Sequence, residues 1–537
     1  MPRPNIVLLF TDQMRGDAMG CAGNPHIKTP NLDRLAATGC CFTHASTHVP
    51  VCIAARYGWM TGRRCAQTGR YGNNDVFPEP HQDTIMMLLG QAGYVTHGVG
   101  KMHHRPARRH YGFHNIEFME EIPPYRHDDD YAMYLQEVGY GHIRNLHGVR
   151  NLLYAQPQTS PVPEEHVGST WVADRSVEFI HRSDDRPFFL YNSWIAPHPP
   201  YNVPTSFMDL YDEPSLPLPA HQHRPQEELP VALRALRHYS DSDNATPARM
   251  RRIKALYYAQ ISLVDKGVGR ILDALEAKGK LQNTLIVFAS DHGEMLGDQG
   301  ACQKSNPYDS CTRIPMLLSF PGHTEAGRTS DDLVNLLDLF PTFAQAGGIE
   351  HPVLRQLPGR SLLGEPGGGL ADKRDEVVTE LGIGQSRLLS LRRKELKYNY
   401  YLADGFEELY DLQADPTEGR NLLHAADDPQ AREVASQMRH SLEQWEADNG
   451  FPDSLDDGRF RNFGITQPVR RRNAQFPIFP DNAGPEEQAA FESPAQGVAD
   501  AMRYETSFTL DELDLGFFRE HGGTLKGTAY EHLLDGI

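Results

Sequence analysis

The stretch NIVLLFTDQ, residues 5–13, sets an unbroken apolar run, Ile6–Phe10, directly against an acid and an amide, Asp12 and Gln13. A run this short, with no 3.6-residue period, reads as a strand buried on both faces. The same form recurs in VTHGV (95–99), FFLYNSW (188–194) and TLIVFAS (284–290). Helical patterns lie between them, at residues 31–38, 84–92, 170–181 and 252–278. This alternation predicts an α/β fold, a large mostly parallel sheet sandwiched by helices. In such sheets ligands bind beyond the carboxyl ends of the strands. Those ends carry Asp12 and Gln13, then GKMH with Lys101 and His103, then His198, then DHGE with Asp291 and His292. Each residue alone reads as a helix cap or a solvated charge. Four strands ending this way point to a site on one rim.

The chain of 537 residues is long enough for several domains, and 39% hydrophobic content is ordinary for a globular protein. A formal charge of −19 argues against a nucleic-acid or anionic-membrane surface, though not against a local cationic pocket. Seven thinly spread cysteines do not form a disulfide framework and fit a reducing compartment. The N-terminal apolar run is too short for a secretory signal, and no run reaches the length of a membrane span. These features predict a cytoplasmic protein. Beyond residue 350 the composition changes. Glycines and prolines in 358–368 read as a linker, 388–401 and 407–412 as antiparallel strands, and 430–449 as a helix. The expected division is 1–365, a catalytic α/β domain; 366–450, a smaller antiparallel-sheet subdomain with a helix; and 451–537, an extended arm. Apolar segments of that arm, 476–480 and 513–518, need a surface to cover them, which suggests a homo-oligomer, dimer or tetramer. Residues 104–168 and 202–248 read as long irregular loops.

HVPVCIAARYGWMTGR, residues 48–63, places Cys52 just past Pro50, at the start of a helix that Gly62 ends. Cys52 and Arg56 are i and i+4, on one face. A helix N-terminus and a guanidinium both favour negative charge, so Cys52 stands where an anion is welcome. A small buried thiol is the plain alternative. Asp12, Gln13, Asp291 and His292 form a divalent-metal set, since carboxylates and an amide oxygen suit a hard cation and a histidine shifts the preference toward manganese. Helix capping by Asp12 and Asp291 is the competing reading. Arg56, Lys101 and Lys304, with His103 and His198, would surround an anion held against that metal, as sulfuryl or phosphoryl transfer requires.

With these motifs in view, the chain resembles a type I sulfatase of the alkaline phosphatase superfamily. The likeness rests on NIVLLFTDQMRGD, TPNLDRLAATG (29–39), CIAARYGWMTGR (52–63), GKMH, PFFLYNSWIAPHPPY (187–201), DHGEMLGDQG (291–300) and Lys304, all in the family's order. It implies an alkaline phosphatase-like fold, one divalent ion (Mn2+ or Ca2+) on Asp12, Gln13, residue 52, Asp291 and His292, and a formylglycine-generating enzyme that oxidises Cys52. The usual motif is C-x-P-x-R, and here Ala54 takes the third position. In the family one hydroxyl of the hydrated aldehyde attacks sulfur, and the second then loses its proton as sulfate leaves. Residue by residue, the resemblance gives Arg56 and Lys101 to the nucleophile, His103 to its deprotonation, His198 and Lys304 to the leaving oxygen, and Asn73 (with Asn74 as neighbour) to a substrate oxygen.

A small-molecule sulfate ester, with an aryl leaving group, is the expected substrate. The sister reading is a phosphonate monoester or phosphodiester hydrolase, whose members carry neutral hydroxyl residues where Lys101 and His103 stand; the added positive charge favours sulfate. A choline-sulfatase-like alkyl sulfatase is a further variant, but Tyr125, Trp171 and Trp194 read first as core residues rather than a cation cage. His127, Asp128, Asp129 and Asp130 read as a solvated loop. An unmodified Cys52 would leave a thiol nucleophile of low pKa. A non-catalytic scaffold would have lost site residues, and every expected type is present.

Overall fold

Asn5–Asp12 forms strand β1, and all of its residues are buried. Its alternation divides the core: Val7 and Leu9 join one apolar layer, while Ile6, Leu8 and Phe10 join the other. The protein is described from a computed structural model covering residues 3–466 apart from 74–82, 106, 124–125, 144, 149–156, 222–223, 241–244, 365–369, 371 and 425–427. Strands β2 (Cys40–Ser46), β3 (Val95–Gly100), β4 (Asn115–Phe118), β5 (Pro157–Thr159), β6 (Phe188–Pro197), β7 (Tyr201–Val203), β8 (Thr284–Ser290), β9 (Met316–Ser319) and β10 (Arg328–Asn335) follow in chain order. After them come β11 (Glu376–Leu381), β12 (Leu388–Arg393), β13 (Leu396–Tyr401) and β14 (Phe406–Asp411).

The large sheet runs β10-β2-β9-β8-β1-β6-β3-β4. Every neighbouring pair is parallel except the two that involve β9. The strands read from sequence are thus the four consecutive central ones, β8, β1, β6 and β3, and their carboxyl ends share a rim. Helices Pro30–Ala37, Gly168–Arg182 and Pro247–Ala277 cover one face. Helices Cys52–Thr61, Ile85–Gln91 and Leu339–Ala346 cover the other. The expected α/β sandwich is therefore present. The smaller sheet, β11-β12-β13-β14, is antiparallel, with helix Pro429–Asn449 packed on it.

The regions read as irregular hold more structure than expected. Residues 104–168 contain β4, β5 and helix Asp130–Glu137, and residues 202–248 contain helix Val231–Ser240. The small sheet also reaches back to the large one: Thr379 Oγ1 donates to the Thr47 carbonyl at 2.8 Å and the Glu380 N–H to the His48 carbonyl at 2.9 Å. The segment leading into Cys52 is therefore braced from behind by β11. No described helix is long and apolar enough to cross a membrane. The expected arm segments 476–480 and 513–518 lie outside the described residues.

Candidate active site

β1 and β8 are neighbours in parallel register, Thr11 opposite Ser290, so the next residues of each strand, Asp12 and Asp291, emerge together. Gln13 turns the chain away with φ 65°, and its N–H donates to Asp291 Oδ1 at 3.0 Å. At the third strand end Gly100 takes φ 97°, and a Cβ there would meet the Ser193 carbonyl at 1.9 Å. Only glycine allows β3 to lie that close to β6 and deliver Lys101 into the cluster.

Arg56 is the hub. Its Nε donates to Asp291 Oδ2 (3.0 Å), its Nη2 to Asp12 Oδ2 (2.9 Å), and its Nη1 to Lys101 O (2.8 Å), Tyr191 Oη (2.9 Å) and Ser193 Oγ (2.9 Å). The planar guanidinium fork matches two carboxylates at once, which an ammonium cannot do. The sequence reading had Arg56 surrounding a substrate anion; the structure instead commits it to the two carboxylates and the backbone. Lys101 Nζ is 2.9 Å from Asp12 Oδ2 and donates to Glu121 Oε2 at 2.6 Å.

Cys52 opens its helix at the same point. Its Sγ lies 3.2 Å from His292 Nε2 and 3.7 Å from Asp12 Oδ1. The Ile53 N–H donates to Asn73 Oδ1 at 2.9 Å, so Asn73, expected on a substrate oxygen, uses that atom at the start of the helix that Cys52 opens. Asn74 lies outside the described residues. Lys304 Nζ lies 2.7 Å from Gln13 Oε1 and 2.7 Å from His198 Nε2. Its loop is set by positive φ at Gln303 (81°) and Ser305 (72°), and the Ser305 N–H reaches the Pro50 carbonyl at 3.3 Å. His103, at φ 54°, follows Lys101 with its N–H held by Glu120 Oε1 at 2.9 Å. Lys304 is only part-buried whereas the other charged site residues are buried, so the site opens on its side.

Asp12, Cys52, Asp291 and His292 each offer a ligand atom, all within 4.8 Å of one another and all buried. Burial opposes charge on Asp12, but Lys101, His198, Arg56 and Lys304 hold its carboxyl well below the usual range. Burial and the neighbouring Asp12 charge push Asp291 up to about 7. A second buried negative charge thus wants a further cation, and burial keeps His292 neutral, its pKa near 3, as a ligand must be. The donor set fits a divalent ion. Gln13 contributes less plainly: its Nε2 hydrogen-bonds Glu294 Oε2 and its Oε1 accepts from Lys304. Burial and the Asp12 charge push the Cys52 thiol up to about 12.

Glu120, Glu121, Glu294, Tyr191 and Ser193 were not singled out from sequence. Asp129 Oδ1 caps helix Asp130–Glu137 through Ala132 N (2.7 Å), Asp129 Oδ2 accepts from Glu120 N (2.5 Å), and Asp130 accepts from Phe118 N (2.6 Å). These acids brace the rim rather than line a pocket. Trp171 and Trp194 are core residues, and Trp194 Nε1 donates to Ser169 O at 3.0 Å. Tyr125 is outside the described residues.

A mixed, mostly parallel sheet with two carboxylates, a histidine and a cysteine-headed helix at its carboxyl rim defines a hydrolase of the alkaline phosphatase-like fold. Residues 4–349 match the sulfatase family, residues 297–448 match the C-terminal region of N-sulphoglucosamine sulphohydrolase, and the chain belongs to the sulfatase family. It is a sulfuric ester hydrolase. An arylsulfatase from Clostridium perfringens is 32% identical over 455 residues, covering 79% of this chain and 91% of that protein. A choline-sulfatase from Rhizobium meliloti is 29% identical over 430 residues, covering 78% and 82%. The phosphonate monoester hydrolase of Agrobacterium radiobacter shares the fold, with a TM-score of 0.73 and 24% identity over 83% of this chain and 96% of that one.

Proposed function

We propose that the chain hydrolyses aryl sulfate monoesters with residue 52, matured from cysteine to formylglycine by a formylglycine-generating enzyme, as nucleophile. Asp12, Asp291 and His292, with residue 52, would hold one divalent ion, Mn2+ or Ca2+, and Gln13 would add its amide oxygen alongside the hydrogen bond that this oxygen accepts from Lys304. The observation that carries this reading is the placing of Cys52 at the first position of its helix, within 4.8 Å of two carboxylates and an imidazole. When bound, the cation supplies Lewis acidity toward the sulfuryl oxygens and the nucleophile. The chain's own groups do the rest. Arg56 fixes both carboxylates, Lys101 steadies negative charge on residue 52, and His103 takes its proton. Lys304 faces the leaving oxygen beside His198, and Asn73 holds the helix start.

The test is the mass of the peptide containing Cys52, from a host that matures a control sulfatase, together with turnover of 4-nitrophenyl sulfate. The expected peptide mass is that of the aldehyde or its hydrate, and Cys52→Ala removes turnover. An intact thiol, or undiminished Cys52→Ala activity, defeats the reading. The arylsulfatase relative supports the aryl leaving group, and the charge of Lys101 supports sulfate over a phosphonate or phosphodiester. Efficient phosphodiester turnover with negligible sulfatase activity would reverse that order.

A further inference from the structure

β3 and β4 run parallel with Gly100 opposite Phe118, so the residues just past each strand, 101–103 and 119–121, lie side by side. Glu120 Oε1 accepts the N–H groups of Met102 and His103, both at 2.9 Å. Glu121 reaches further and is itself only 6% exposed. One carboxylate oxygen accepts Lys101 Nζ at 2.6 Å, and the other lies 3.4 Å from His198 Nδ1. Its two partners come from the ends of different strands. In the proposed reaction they serve opposite sides of the sulfuryl group, Lys101 the nucleophile and His198 the leaving oxygen.

The hydrogen-bond pattern fixes the imidazole. His198 Nδ1 sits 2.6 Å from the Pro199 carbonyl, with the Glu121 oxygen beyond it, and a ring nitrogen facing two acceptors carries the hydrogen. Nε2 is then the lone-pair nitrogen, and it accepts from Lys304 Nζ at 2.7 Å. Lys304 gives a second N–H to Gln13 Oε1 at 2.7 Å, which leaves its third for a substrate oxygen.

We infer that Glu121 is a positioning residue that joins Lys101 to the His198–Lys304 pair, its negative charge backing the Nδ1–H tautomer that the Pro199 carbonyl sets and so keeping Lys304 presented to the leaving oxygen. The inference rests on the sulfate-ester hydrolase reading. It goes beyond it by coupling the two halves of the site through a carboxylate set between Lys101 and His198.

The test compares Glu121→Gln and Glu121→Asp with the wild type, as matured, cation-loaded full-length enzyme, on 4-nitrophenyl sulfate and phenyl sulfate. Donation to the leaving oxygen matters more for the more basic phenolate. Glu121→Gln should lower kcat about tenfold on the nitrophenyl ester and on the order of a hundredfold on the phenyl ester, a change in ratio that lost packing does not produce. Glu121→Asp, which keeps the charge on a shorter arm, should recover part of the ratio. If Glu121→Gln does not fold, the Glu121→Asp ratio carries the same test. An equal loss on both esters, or no loss, overturns the inference. A wild type that turns over neither ester overturns the sulfatase reading instead.

Discussion

Replacing Arg56 with lysine tests the electrostatic frame of the site. The guanidinium serves five acceptors, among them one oxygen each of Asp12 and Asp291. An ammonium has three hydrogens on one nitrogen, so at least two of these acceptors lose their donor. Charge-assisted hydrogen bonds are worth about 1.5–3 kcal/mol each, which places the loss at about 3–6 kcal/mol. Arg56→Met, which removes the charge itself, breaks the buried ion pairs and should cost about 3–5 kcal/mol. The assay is urea unfolding followed by tryptophan fluorescence, with Trp59 in the same core layer as Ile53 and Phe10. Arg56→Lys should lower the midpoint by an amount equivalent to several kcal/mol. Because most of the Arg56→Met loss is the cost of a carboxylate left buried and unpaired, Arg56→Met with Asp291→Asn should be more stable than Arg56→Met alone. A loss under about 1 kcal/mol for Arg56→Lys would show that the guanidinium fork is not what holds the two carboxylates, and no recovery in the double variant would show that Arg56 is not what neutralises Asp291.

Chelation should lower the thermal midpoint and added Mn2+ should raise it with concentration, by an amount equivalent to about 2.7 kcal/mol at a hundredfold excess over Kd; a midpoint indifferent to cation would count against the site formed by Asp12, Asp291 and His292. Leu8, fully buried in the central strand β1, should cost about 2–5 kcal/mol as Leu8→Ala in the same urea assay, and a cost below 1 kcal/mol would contradict its burial on the sheet face. Burial pulls His48 from 6.5 to about 3, so below 6.5 the unfolded chain takes up a proton that the folded chain refuses. That stability is present above the unfolded value and is lost as pH falls, by about 2 kcal/mol between pH 7 and pH 5. His48→Asn should show a correspondingly shallower acid slope, and parallel slopes would refute the assignment.

The central half of the large sheet was legible because β1 and β8 are apolar on both faces and bounded by acids. β2 was missed because Thr43 and His44 are only half-buried and break the apolar pattern, and β9 because it is just four residues long. Missing β4 had a larger consequence. Without its register against β3, nothing in the sequence singles out the acids at 120 and 121, which clamp Lys101 and His103. Arg56 shows the other limit. Its i, i+4 relation to Cys52 is local and was readable, but the carboxylate on its Nε is 235 residues away, so what the guanidinium holds is a property of the folded sheet.

The brace from β11 to the segment before Cys52 also sets a clock. Cys52 is 0% exposed once its helix is seated, and the Thr379 and Glu380 bonds that close the segment from behind involve residues synthesised long afterwards. At ~5–20 residues per second, the roughly 330 residues between them take on the order of tens of seconds to emerge. Under the proposed maturation, an enzyme that oxidises Cys52 would have to act before the segment closes, so slower translation is expected to raise the matured fraction, read as the aldehyde-to-thiol ratio of the Cys52 peptide.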